Sequence, residues 1–212
     1  MFESLSYALD VTLPISLIIG LGVLLKRISW ITDEFAKAGS DLVFNLTLPC
    51  LLFVNIATTN LTDHFPTLLI VFAGSAMTAV FLIFHLLAFG IANKLARGAF
   101  VQGACRGNMA IIGLALSVNA FGDLALAIAS MYLAVLVVPL NIFSILTLYY
   151  HQEKTPSVRD VAHSVLTNPL AIAISLAILV ALLPIQVPRL MLDTGHYLAS
   201  MTLPLALLCV GA

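Results

Sequence analysis

The chain has 212 residues, of which 61% are hydrophobic and only 9% are charged, and its formal net charge is −1. Soluble globular domains carry about 25% charged residues, so this composition excludes an ordinary soluble domain and indicates an integral membrane protein. The balanced charge excludes a basic nucleic-acid-binding surface. Its three cysteines lack metal-ligand spacing, and no catalytic or cofactor-binding motif is present, so we expect neither an enzyme nor a cofactor or metal site.

Seven segments are apolar enough to cross a bilayer, which requires about 20 mostly apolar residues. In chain order they are 8–25, 38–58, 67–92, 97–122, 124–149, 161–183 and 190–212. Lysine and arginine are concentrated in the loops that follow the first, third and fifth spans. Because basic residues accumulate on the cytoplasmic side of membrane proteins, this distribution predicts an N-terminus outside the cell.

The fourth span contains Arg106, Gly107 and Asn108 in succession, and Gly113 follows them. Glycine costs about 1 kcal/mol relative to alanine in a helix, and a charge at the bilayer centre costs roughly 2.5–3.5 kcal/mol. Irregular backbone is tolerated at membrane depth only where protein buries it or where it lines a water-filled cavity. These residues therefore predict a helix that breaks between Arg106 and Gly113 beside a polar cavity.

A short motif recurs at a constant offset of 155 residues. Thr47–Pro49 is repeated as Thr202–Pro204, and Pro14 corresponds to Pro169. Because five spans separate the two copies, the second enters the membrane from the opposite side. This predicts an all-α polytopic protein built as an inverted repeat of five-helix units, the second of which is incomplete. The predicted divisions are a first repeat at 1–150, a cytoplasmic connector at 151–160 and two helices of the second repeat at 161–212.

Four motifs, together spanning nearly the whole chain, resemble the auxin efflux carrier family. They are Leu48-Pro49, Arg106-Gly107-Asn108 with Gly113-Leu114, Asn168-Pro169, and Leu203-Pro204 with Gly211-Ala212. The resemblance implies ten helices in two inverted repeats, with the fourth and ninth unwound where they cross. It also implies a bacterial inner or plasma membrane and transport of small organic anions, which are auxin in plants and mono- or dicarboxylates such as malate or malonate in bacteria. Ala115 departs from the family's usual proline, and the chain resembles a C-terminally truncated member.

Polar residues inside the spans are the candidates for a substrate site. The amide of Asn108 and the guanidinium of Arg106 can both bind a carboxylate. The alternatives are an Asn108 that only caps the second half-helix and an Arg106 that extends to the cytoplasmic surface. Gly107 and Gly113 either free the backbone or permit close helix packing. The full predicted substrate-binding set is Asn108, Gly107, Gly113, Arg106, Asn141 and Asn45.

Further candidates have structural alternatives of their own. Asn141 either contacts substrate or forms an interhelical hydrogen bond, and Asn45 either faces the cavity or satisfies groups freed by the nearby proline. The predicted helix breaks or kinks are Pro49, Pro204 and Pro139. Asp41 and His85 are candidates for proton coupling, the alternatives being a solvated carboxylate and a neutral imidazole.

These features together predict a secondary transporter of small organic anions that works by alternating access. Its expected partners are the lipid bilayer, the anion and a coupling proton or sodium ion. A homodimer would cover the repeat interface that seven helices leave open. The alternative is a non-transporting membrane sensor or assembly subunit, or an inactive truncated remnant of the carrier fold.

Overall fold

The computed structural model describes residues 2–58, 67–151, 157–183 and 187–212. This part of the chain consists of helices and connections, without a strand. The helices are α1 (Phe2–Arg27), α2 (Asp33–Leu42), α3 (Leu48–Ala57), α4 (Thr67–Ala88), α5 (Lys94–Cys105), α6 (Leu114–Phe121), α7 (Asp123–His151), α8 (Val158–Leu166), α9 (Pro169–Leu182), α10 (Arg189–Ser200) and α11 (Thr202–Gly211). Two π-helical turns, π1 (Val43–Thr47) and π2 (Met109–Gly113), precede α3 and α6.

Six of the predicted spans are confirmed as apolar helical segments long enough to cross a membrane, within the described ranges. The sixth predicted span differs, because its apolar helix α9 has only 14 residues. Thr167 and Asn168 separate it from the polar helix α8. Asn168 caps α9 and Pro169 occupies its first turn, which is the arrangement that starts a new helix. Around the predicted connector 151–160, α7 includes His151 and α8 begins at Val158, and 152–156 lie outside the described residues. The connector stays a prediction.

At Pro49, predicted as a helix break or kink, helical structure continues from α2 through π1 into α3. Proline cannot donate a backbone hydrogen bond, and the wider π-helical turn before it accommodates that loss without leaving the helix. Asn45 lies in π1, where its Nδ2 donates to the Asp41 carbonyl at 2.7 Å. Leu48 and Leu52, which flank Pro49 in α3, are fully buried. The second span is therefore distorted at Pro49 but remains continuous and tightly packed.

The other two predicted prolines differ from each other. The seventh span divides at Met201, between α10 and α11, and Pro204 lies in the first turn of α11. In contrast, α7 passes through Pro139 without interruption. Proline thus marks a helix boundary in the seventh span, whereas the fifth span contains it inside one helix.

Close backbone packing joins the first and last helices. A Cβ atom added to Gly211 would overlap the Ile19 carbonyl and lie 3.1 Å from the Gly22 Cα atom. A Cβ added to Gly22 would likewise overlap the Leu208 carbonyl. Small residues allow membrane helices to approach this closely. The contact holds α1 against α11, while α3 packs against α9 and α10.

Several environments recur at the offset of 155 residues. The Ser40 side chain lies beside the Cys209 thiol, and a Cβ added to Gly195 would lie 2.7 Å from Val54 Cγ2. Position 195 lies 155 residues after position 40, and position 209 lies 155 residues after position 54. The contact of 40 with 209 therefore corresponds to the contact of 195 with 54, with each residue replaced by its counterpart in the other copy. The repeated threonines of the motif, Thr47 and Thr202, are both fully buried, and no described group hydrogen-bonds either hydroxyl.

Candidate functional site

The predicted interruption of the fourth span is confirmed, but it is shorter than the predicted 106–113. Helix α5 ends at Cys105, residues 106–108 are not helical, and π2 begins at Met109. Asn108 caps the second half, since its Oδ1 accepts a hydrogen bond from the Ile111 backbone N–H at 3.2 Å. Gly113 has helical angles, φ −61° and ψ −46°. The break therefore rests on Arg106–Asn108, and Gly113 belongs to the helix that follows.

The break opens onto a cavity of about 400 Å³, called the polar cavity below. Five of the six predicted substrate-binding residues line it, and Gly113 does not. The lining residues are Phe44, Asn45, Arg106, Gly107, Asn108, Met109, Ala110, Leu133, Leu136, Val137, Leu140, Asn141, Asn168, Pro169 and Leu170. Segments from four spans, which are far apart in sequence, thus bring their polar residues to one place.

The polar cavity contains hydrogen-bonding groups that the protein itself does not use. Arg106 is exposed and Asn141 is half-buried, and neither side chain has a hydrogen-bond or ion-pair partner among the described residues. Among the described residues, the lining of this cavity includes no aspartate or glutamate. A guanidinium and several amides without a facing carboxylate form an environment that favours an anion.

Residues 7–212 match the family model described as membrane transport protein. The chain belongs to this family, that of the auxin efflux carriers. Comparison with the curated proteins gives no match. Membership makes the protein a membrane transporter, in a family of transporters rather than of enzymes. Together with the six apolar helices, it establishes an integral, multi-pass membrane protein.

One polar side chain in the described lining of this transporter's cavity was not among the predicted site residues. Asn168 lies at the start of α9, and it lines the polar cavity together with Pro169. The Asn-Pro pair was visible in the sequence as a helix start and as part of the family resemblance. Its position beside the broken fourth span depends on the packing of α9 against α3 and α7, which the motif does not encode.

Asp41 and His85, the predicted coupling residues, both lie outside the polar cavity. Asp41 is exposed on α2. His85 Nδ1 donates to the Phe81 carbonyl at 3.2 Å, and its ring stacks on His151 with centroids 5.2 Å apart. His151 is buried, and its Nε2 has no hydrogen-bond partner in the described part of the chain. A role for either residue in proton coupling stays a prediction.

A second cavity, of about 660 Å³, lies on the other side of an apolar layer. Its polar lining residues are Asn55, Asn119, His196 and Ser200. In the second span, Leu48 lies between a residue that lines the polar cavity and one that lines the second cavity. Ile111 and Leu114 have the same intermediate position in the fourth span. All three are buried in one apolar cluster. The transporter thus has two cavities divided by packed side chains.

Proposed function

We propose that this transporter is a secondary carrier of small organic anions such as mono- or dicarboxylates, and that the polar cavity binds the anion. The observation that supports this most directly is the shared position of Arg106, Asn108 and Asn141 on one cavity whose described lining contains no acidic residue. A guanidinium fits a carboxylate through paired hydrogen bonds, and amides add neutral donors. A volume of about 400 Å³ is at the small end of ligand sites, which suits a small organic acid.

We further propose that the chain is an inverted repeat, with its N-terminus outside the cell and its spans in a bacterial inner membrane. The repeated motif at 155 residues supports this, as do the exchanged contacts of Ser40 with Cys209 and of Gly195 with Val54. Transporters with inverted repeats place their substrate near broken helices between the repeats. The polar cavity lies between Asn108 of the first predicted repeat and Asn168 of the second.

Alternating access is the mechanism that this arrangement supports. The apolar layer of Leu48, Ile111 and Leu114 separates the polar cavity from the second cavity. Movement of the helices around the broken span relative to α3 would connect the anion first to one cavity and then to the other. A proton or sodium gradient is the proposed source of energy.

The test is uptake of radiolabelled malonate and acetate into proteoliposomes by the wild type, Asn108→Ala and the control Asn119→Ala. Asn119 lies on the same span, but its amide donates to the Val11 carbonyl and it lines the second cavity. A hydrogen bond to a charged group is worth about 1.5–3 kcal/mol, so Asn108→Ala should lower kcat/KM roughly 10- to 100-fold.

Equal uptake by wild type and Asn108→Ala would overturn the site, provided that both insert equally well. Absence of saturable uptake of any carboxylate by the wild type would overturn the anion proposal. Specific anion binding without flux would instead favour the alternative of a non-transporting sensor.

A further inference from the structure

Asn168 has a side chain whose orientation is fixed by its own helix. Its Oδ1 accepts hydrogen bonds from the backbone N–H groups of Leu170 at 2.9 Å and Ala171 at 3.2 Å. The amide has one acceptor atom and one donor atom. Because the acceptor is used by α9, the Nδ2 group remains available, and no described residue accepts from it. The residue is half-buried and lines the polar cavity.

The backbone at the start of α9 cannot take the place of this amide. Pro169 has no N–H, and the next two N–H groups already donate to Asn168. The hydrogen-bond donor that remains unused at the start of α9 is therefore the NH₂ group of the Asn168 side chain and not a backbone N–H group.

Asn108 has the same arrangement at the break of the fourth span. Its Oδ1 accepts from the Ile111 N–H, so its Nδ2 is also the unused group. Asn45 has the opposite arrangement, because its Nδ2 donates to the Asp41 carbonyl and its Oδ1 remains. With Arg106 included, the cavity has donors on two of its walls.

We infer that Asn168 is a substrate-binding residue, whose Nδ2 donates to the anionic group of the substrate from the α9 side of the polar cavity. This rests on the proposed function, in which that cavity binds an organic anion. Asn108 belongs to the first predicted repeat and Asn168 to the second, so one anion held by both amides bridges the two repeats. Binding then stabilises the arrangement in which these walls are close, a differential interaction of the kind that shifts a conformational equilibrium.

The test uses Asn168→Asp and Asn168→Ser, which separate the cap from the donor. Aspartate and serine are both good N-cap residues, so each retains an oxygen for the start of α9. Aspartate replaces the NH₂ group with a negative oxygen, and serine removes the amide. Malonate uptake in proteoliposomes should show a KM more than tenfold higher in Asn168→Asp and about tenfold higher in Asn168→Ser, with smaller changes in kcat.

Thr167→Asp is the matched control, since it adds the same charge one residue away. Thr167 is exposed, donates to the His163 carbonyl and does not line the polar cavity. Asn168→Gly adds a variant that preserves α9, because glycine at an N-cap costs only a few tenths of a kcal/mol relative to asparagine. It should raise KM as serine does.

The inference is wrong if the wild type transports malonate and the inserted Asn168→Ser and Asn168→Gly proteins retain its KM. It is also wrong if Thr167→Asp raises KM as much as Asn168→Asp while Asn168→Ser has no effect, since charge alone would then explain the result. If the wild type neither binds nor transports a carboxylate, the proposed function itself fails, and this inference fails with it.

Discussion

The two π-helical turns of this transporter have the same length and very different surroundings. Each has five residues and leads directly into an α-helix. Around π1, Val43, Thr47 and Leu48 are 0% exposed. Before π2, Arg106–Asn108 leave the helix and are exposed on the polar cavity. π1 also borders the polar cavity, through Phe44 and Asn45, but its backbone stays helical. The backbone leaves the helix only at the break before π2.

The difference follows from the residues that flank each turn. At π1 the distortion accommodates Pro49, and the surrounding apolar side chains fill the space. At π2 a glycine and a capping asparagine end one helix and start another, so the polar side chains at the break stay beside an open volume. The first region mainly packs helices together and adds only Asn45 as a polar group on the cavity wall, whereas the second offers Arg106 and Asn108 at an open break.

The largest expected effect comes from disturbing the close packing of α1 against α11. Gly22→Leu would force a side chain into the backbone of α11, which also contacts π1. Overpacking lowers the free energy of unfolding by typically 1–3 kcal/mol. Because the atoms that the new side chain meets are backbone atoms, which cannot move aside, we expect a loss at the upper end of this range, about 3 kcal/mol. The detergent-extracted variant should give a low yield and a clearly lower thermal unfolding midpoint.

Gly20→Leu is the control for that change, because beyond the local backbone of α1 no described atom lies within 4 Å of a Cβ added at Gly20. It lies on the same helix and adds the same side chain. If the Gly22 and Gly20 variants unfold at the same temperature, the close contact between α1 and α11 does not hold the packed region together.

A smaller effect, confined to binding of the anion, is expected at the break of the fourth span. Arg106→Gln removes the guanidinium that has no described partner, and KM for malonate should rise about tenfold or more, in line with a lost charged hydrogen bond of about 1.5–3 kcal/mol. Arg106→Lys should recover part of the affinity, because lysine retains the charge without the planar fork.

Arg97→Gln serves as the comparison for Arg106, because Arg97 lies on the same span but outside the cavity. Its Nε donates to the Ile91 carbonyl at 2.7 Å. This variant should affect stability more than KM. Equal changes of KM in the two variants would show that Arg106 acts through general charge rather than through the polar cavity.

The smallest effect is expected at Gly113, where the structure corrects the predicted role of the glycine. Gly113 has helical angles, and a Cβ added there would make an ordinary contact of 3.6 Å with Met109 Cβ. Alanine is favoured over glycine in helices by up to about 1 kcal/mol. Gly113→Ala should therefore keep uptake within about twofold of wild type. Loss of uptake would mean that the transport cycle requires backbone freedom at this residue.

The sequence predicted the membrane class, six of the spans and the position of the break, because these depend on local composition. Arg106–Asn108 is an unfavourable helical segment wherever it occurs in a membrane. The π-helical turn before Pro49 was not predictable from the sequence, since it depends on buried neighbours. The place of Asn168 in the cavity was also missed, because it depends on how α9 packs against spans distant in sequence.

The most direct test of the polar cavity as the anion site is protection of a cysteine placed within it. Gly107→Cys suits this purpose, because a Cβ there lies no closer than 4.0 Å to Met109 Cγ and Asn108 is preserved. The native Cys50, Cys105 and Cys209 would first be replaced by alanine. The rate of modification by a charged thiol reagent is then measured with and without saturating malonate. The account predicts slower modification with malonate and no change with neutral malonamide. An unchanged rate in a variant that still transports malonate would contradict it.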